Sequence, residues 1–190
     1  MIKRQSSAKR VSIIAITAAL YTVFFFLSYS ITLPNFTLLY LPIILLGIFP
    51  IWFGWSGLMG SMIGAFIGGA FVEGLGFLGV FEAICALIIY LINWVFLPKG
   101  AAEDKSKSKL AMMLAVFAVS LAAGTSYIIY QYTVFPQIFT SMEVWLPTYL
   151  LNLPITLILC PTLIRTISPK MRTWGMYTGN LRQWLSLKYS

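Results

Sequence analysis

Residues 57–76 read GLMGSMIGAFIGGAFVEGLG, with glycines four apart at Gly60, Gly64 and Gly68 and one carboxylate, Glu73, in an otherwise apolar run. Ser56 extends this ladder one step back, and Gly57, Ser61, Ala65 and Gly69 lie beside it, so one side of a helix over 56–73 is nearly bare of side chains. Small residues at this spacing let helix backbones approach closely and gain van der Waals contact where lipid supplies no hydrophobic drive. The stretch predicts a packed membrane helix rather than a phosphate loop.

The rest of the chain agrees. Hydrophobic residues make up 59% and charged residues 9% of the 190, and the mean hydropathy of +0.88 leaves too little polar surface for a water-soluble domain. With Gly, Pro and charge as punctuation, hydropathy predicts an all-α integral membrane protein. It is a single bundle of six transmembrane helices over about 11–31, 37–53, 56–73, 76–97, 110–132 and 143–167. Residues 1–10 form a basic N-terminus, 11–167 the membrane domain and 168–190 a basic tail. The apolar run after Lys3, Arg4, Lys9 and Arg10 has no small-residue cleavage site, so it reads as a retained first helix rather than a signal peptide.

Charge sets the expected orientation. All thirteen Lys and Arg residues fall in the first ten residues, in the loop 98–109 (PKGAAEDKSKSK), or from Arg165 onward. By the positive-inside rule these three regions share the cytoplasmic side, which four plus two crossings satisfy, so both termini are expected in the cytoplasm of a cell-membrane protein. Trp52, Trp55, Trp94, Trp145 and Trp174 lie near expected helix ends, as interfacial aromatics do. The tail reads as a segment lying along anionic lipid headgroups of the bilayer. The basic residues are not interleaved with aromatics on a soluble face, so nucleic acid is not an expected partner.

The chain has no histidine, which removes Ser-His-Asp and Cys-His nucleophilic sites and His-ligated zinc or haem. Cys85 and Cys160 lie in apolar segments and read as small buried hydrophobes. No cofactor and no metal site are expected, and the protein is not expected to be an enzyme. There is no P-loop, so any active transport must draw its energy from a partner.

Few groups remain that could contact a solute. Glu103 and Asp104 belong to the cytoplasmic loop and Glu143 to an external connection. Glu73, at the outer end of the third helix, is placed to reach the interface. Glu82 sits about 10 Å below the outer end of the fourth, where an ionisable group is a functional candidate. Helical spacing puts Glu82, Ala86, Ile89 and Asn93 on one face, Ser120, Gly124, Tyr127 and Gln131 on another, and Trp145, Tyr149, Asn152 and Thr156 on a third. Glu82, Tyr127, Tyr149 and Asn152 then fall at similar depth. That is a polar and aromatic lining suited to a small ligand, or alternatively hydrogen-bond glue between helices. Pro154 loosens the sixth helix by freeing backbone carbonyls beside such a cavity.

The basic start, SIIAITAALYTV with Ala15 and Ala19 four apart, LPNFTLLYLPIILLGIFPIWFGWSGLMGSMIGAFIGG, and the closing NLPITLILCPTLIRTISPKMRTWG together resemble the substrate-binding S components of energy-coupling factor (ECF) vitamin transporters. The resemblance implies a bundle that binds a vitamin-like small molecule from outside, paired with a transmembrane coupling subunit and two cytoplasmic ATPases. It further implies that Ala15 and Ala19 meet the coupling subunit and that the connection 32–42, with Asn35, covers the ligand. The cobalt and nickel members use an N-terminal histidine motif that this chain lacks. The competing reading is a six-helix protein similar to rod-shape-determining membrane subunits, acting by protein-protein contacts. A third, an intramembrane enzyme using Cys85 or Cys160 with Arg165, lacks its base.

Overall fold

The computed structural model describes residues 6–30, 32–33, 36–37, 39–73, 77–96 and 141–188; the expected helix over 110–132 lies outside them. In chain order the elements are α1 (Ser7–Ser30), β1 (Thr32–Leu33), β2 (Phe36–Thr37), α2 (Pro42–Glu73), α3 (Phe77–Phe96), α4 (Ser141–Thr173) and α5 (Leu181–Lys188). Outside the helices the described residues hold a two-residue antiparallel ladder, which pairs Thr32 with Thr37 and Leu33 with Phe36, and the connecting stretches 39–41 and 174–180. Ser7–Ser28, Pro42–Val72 and Gly79–Phe96 are long and apolar enough to cross a membrane, the pattern of a multi-pass membrane protein.

Several boundaries differ from expectation. α1 begins about one turn early because Ser6 caps it, its Oγ accepting from the Lys9 N–H at 3.3 Å. The second helix begins at Pro42 rather than near 37: proline suits a first helical turn and biases the preceding residue away from helix. α4 runs on past Ile167 to Thr173. There Gly175, at φ 63°, turns the chain, and the Gly175 and Met176 N–H groups donate to Arg172 and Met171 carbonyls in a Schellman closure.

α2 is not one straight rod. Leu41, just before it, donates its N–H to Ser28 Oγ, while a Cβ on Gly68 would lie 2.7 Å from the ring of Phe25, one turn away on α1. In a straight helix residues 41 and 68 would be about 40 Å apart. The chain therefore folds back, and it does so at Gly54, whose φ of 50° and ψ of −130° are non-helical. The two arms are 42–53 and 55–73.

The glycine ladder of the second arm packs on α1. A Cβ on Gly60 would collide with the Thr17 hydroxyl and stand 2.6 Å from the Ile14 carbonyl oxygen; one on Gly64 would stand 2.6 Å from that of Ala18. Partner numbers rise together along both helices, so the pair is parallel, and Thr22 Oγ1 donates across it to the Gly64 carbonyl at 3.2 Å. The outward faces stay apolar: Val23 and Leu27 on α1, Met59 and Ile63 on α2, and Val80, Ile84 and Ile88 on α3 are all exposed. In water such a surface would be a liability; in lipid it is the expected exterior.

The reversal is tied off by the tail. Thr178 and Gly179 donate N–H groups to the Ile51 carbonyl at 2.8 and 2.9 Å, and Thr178 Oγ1 donates to Trp52 at 3.1 Å. Tyr90 OH donates to the Gly54 carbonyl. The tail thus docks under the bundle before α5 begins, with Asn180 and Gln183 exchanging cap bonds at its start. Two tryptophans expected at the lipid interface are interior groups instead. Trp52 Nε1 donates to Ser168 Oγ and Trp94 Nε1 to the Gly179 carbonyl, both at 3.0 Å, whereas Trp55 and Trp174 are exposed.

Candidate binding site

At the end of the bundle opposite the tail, three helices converge on one residue that lies outside them. Tyr40, in the connection between α1 and α2, donates its backbone N–H to Asn152 Oδ1 of α4 at 2.8 Å. Its hydroxyl donates to Glu82 Oε2 of α3 at 2.9 Å and lies 2.8 Å from the Tyr21 hydroxyl of α1. The next residue, Leu41, donates its N–H to Ser28 Oγ at 2.8 Å, and Ser28 Oγ donates to its own helix at the Phe24 carbonyl. The Phe25 ring meets the Tyr40 ring edge-on, 6.3 Å between centroids. Withdrawal from water, and then the charge of Glu82, push the Tyr40 phenol well above its ordinary value, so at neutral pH it stays a donor.

Each member is held from behind. Asn152 is buried, and its carbonyl accepts from Thr156 Oγ1 one turn on. Tyr21 is fully buried on the α1 stripe Ile13, Thr17, Tyr21 and Ser28 that faces the bundle. Glu82 is half-buried on α3. The cluster joins a connecting segment to three helices through side-chain hydrogen bonds, so it acts as a latch.

Glu82 and Asn152, selected by helical spacing, are thus brought to one partner. Glu73 is the last residue of α2, and Trp145 and Tyr149 belong to α4, but their side chains lie outside the described residues, as do Tyr127 and Asn35 altogether. Asn93 shares the face of Glu82 without joining the cluster: its Nδ2 donates to the Leu46 carbonyl at 3.1 Å. Ala15 and Ala19 are exposed on α1, while Ala18 between them is buried against α2. Cys160 is buried with its Sγ 3.6 Å from the Ile44 carbonyl, and Cys85 is half-buried. Among the described residues no group of His, Cys, Asp and Glu is placed to hold a metal ion.

Tyr40, Tyr21 and Ser28 were not among the residues singled out from sequence. The signal for Tyr21 and Ser28 was a polar stripe with Thr17 on an apolar helix, i, i+4 and i+11. Tyr40 had only its place beside Leu41 and Pro42. No family model, no curated protein and no solved structure matches this chain.

Proposed function

We propose that this chain is a membrane-embedded, high-affinity binding subunit for uptake of a vitamin-like small metabolite, of the S-component kind. A separate module, a transmembrane coupling subunit with two cytoplasmic ATPases, drives it. The observation that carries the reading is the latch: the connection over the outer end of the bundle is fastened to α3 and α4 by bonds from Tyr40 to Glu82 and Asn152. A few exchangeable bonds of this kind suit a cover that opens for a solute and closes behind it.

Two further features support it. Ala15 and Ala19 leave two small side chains of α1 exposed beside the face that packs on α2, where a partner helix could approach closely. α3 closes at the end where α1 begins, and α4 runs back to that same end, where Lys9 Nζ donates to the Trp174 and Gly175 carbonyls. One further crossing between Phe96 and Ser141 gives six spans with both termini on the basic, cytoplasmic side.

Mass spectrometry of the protein purified in mild detergent tests the proposal. A stoichiometric small metabolite, together with ATPase subunits in a gentle pull-down, is the expected result. If no metabolite copurifies and no water-soluble vitamin shifts thermal stability, the binding reading falls and the structural alternative takes its place.

A further inference from the structure

The exposed apolar side chains of α1 line up behind one cation. Ile16, Leu20, Val23 and Leu27 follow Lys9 at i+7, i+11, i+14 and i+18, so a single stripe of the helix carries an ammonium at its start and large exposed apolar groups along its length. From Lys9 to Leu20 is about 16 Å of helix, close to half of a bilayer core of roughly 30 Å. The stripe therefore offers one leaflet's depth of apolar surface that ends on a positive charge.

The far end of the Lys9 side chain is fixed. Its Nζ donates to the Trp174 and Gly175 carbonyls at the close of α4, where a cation complements the negative end of a helix. This contact joins the start of α1 to the close of α4 and brings Arg172 and Trp174 into the neighbourhood of the ammonium. Trp174 is 55% exposed, and the Arg172 guanidinium lies over the Tyr177 ring, 4.4 Å from its centroid. An ammonium carries three N–H groups, and a guanidinium stacked by its face keeps its N–H edge turned outward, so each can serve a protein group and a phosphate oxygen together. An exposed indole beside them suits the depth of headgroups and first methylenes. Complementing the end of α4 explains one ammonium there, but not a tryptophan and an apolar stripe at the same place.

We propose that the junction of α1 and α4 is a binding site for an anionic phospholipid: the phosphate sits on Lys9 and Arg172, the Trp174 ring lies along the glycerol region, and an acyl chain runs down Ile16 and Leu20. The lipid belongs to the leaflet at this end of the bundle, the cytoplasmic one in the proposed topology. The sequence spreads headgroup attraction over the whole basic tail. The structure instead gives much of the tail to the bundle, through Thr178 and Gly179 on the Ile51 carbonyl and the Trp184 ring against Trp94, and assigns the headgroup to the junction. A phosphate shared by Lys9 and Arg172 ties α1 to α4 at the end where the tail docks, so anionic lipid stabilises the bundle where neutral lipid does not. The site stands independently of the binding-subunit reading.

The test titrates the full chain in mild detergent with dioleoylphosphatidylglycerol, with dioleoylphosphatidylcholine of the same acyl chains and soluble glycerol 3-phosphate as comparison probes. Native mass spectrometry counts retained lipid, and the unfolding temperature is followed in parallel. Phosphatidylglycerol is expected to be retained and to raise the unfolding temperature, whereas phosphatidylcholine and glycerol 3-phosphate leave it nearly unchanged. Arg172→Gln, which keeps the Lys9 contact, is expected to weaken phosphatidylglycerol retention about fivefold, and Arg182→Gln on α5 to leave it unchanged. Lys9→Gln removes the other charge and keeps a donor for the carbonyls; it carries the same fivefold expectation and serves as the second variant should Arg172→Gln not fold. Equal retention of the two lipids makes the stripe an ordinary lipid exterior, and equal losses from Arg172→Gln and Arg182→Gln make the attraction one of diffuse surface charge. A shift by glycerol 3-phosphate that matches the lipid makes it a soluble-anion site. Each of these results, or no retained phosphatidylglycerol at all, overturns the proposal.

Discussion

Asn93 of α3 donates through its side-chain amide to the Leu46 carbonyl oxygen at 3.1 Å. Pro50, four residues further along α2, has no N–H to give that oxygen. Asn93 is buried, so a sequence-local defect in one helix is repaired by a polar side chain from another. Leucine has nearly the shape of asparagine but no donor. Asn93→Leu is therefore expected to cost about 1–3 kcal/mol, read as a lower unfolding temperature in detergent. Pro50→Ala restores an N–H, so adding it to Asn93→Leu should recover much of the loss. If the double variant is no more stable than the single one, the amide does something other than satisfy Leu46.

The parallel seam between α1 and the second arm of α2 makes a second prediction. A Cβ on Gly64 would meet the Ala18 carbonyl oxygen at 2.6 Å and Tyr21 Cβ at 2.7 Å. Both are rigid neighbours. Gly64→Ala should destabilise by about 1–3 kcal/mol, and Gly64→Val by more. Thermal unfolding followed by circular dichroism checks it, and an unchanged midpoint for both variants would mean the helices are not this close.

Much of the fold was legible because lipid imposes simple rules. The ladder at Gly60, Gly64 and Gly68 reads as close packing, and charge-free apolar runs read as spans. The break between 53 and 56 was placed within two residues of Gly54, whose unusual φ only glycine takes readily. Where the second helix starts was harder, since 37–41 is as apolar as the first turns of α2 and only Pro42 marks the boundary. Helical spacing found Glu82 and Asn152, because a polar group in an apolar helix stands out. It could not find Tyr40, whose role depends on contacts 42 and 112 residues away. The interior places of Trp52 and Trp94 were likewise hidden, because a tryptophan at a helix end has the same sequence signature whether it faces lipid or Ser168 and Gly179.

The tail is a structural part of the bundle, and this separates two effects that its basic composition confounds. Without residues 177–190 the Ile51 and Trp52 carbonyls and Trp94 Nε1 lose their partners, and each orphaned buried group costs about 1–3 kcal/mol. Truncation after Met176 should markedly lower the unfolding temperature, and Thr178→Val should lower it slightly. Arg182→Gln, on an exposed side chain of α5, should leave it nearly unchanged. Equal losses from the charge variant and the truncation would show that headgroup attraction, not the capping of Ile51, holds the tail.

Hydrogen exchange resolves the latch one bond at a time. The Tyr40 N–H is bound by Asn152 Oδ1 and the Leu41 N–H by Ser28 Oγ, so the two amides report on different helices. Asn152→Leu keeps side-chain volume and removes the first acceptor, while Ser28→Ala removes the second. At about 1 kcal/mol per neutral hydrogen bond, each variant should speed exchange of its own amide by about fivefold. Tyr40→Phe takes the hydroxyl from Glu82 and Tyr21 but leaves both backbone bonds, so its effect on these two amides should be smaller unless the side-chain and backbone contacts open together. Exchange measured on peptides spanning 36–44 distinguishes the cases. Independent changes describe a connection that peels from α1 and α4 separately. A matched rise at both amides in all three variants describes one cooperative closure with Tyr40 as its pin.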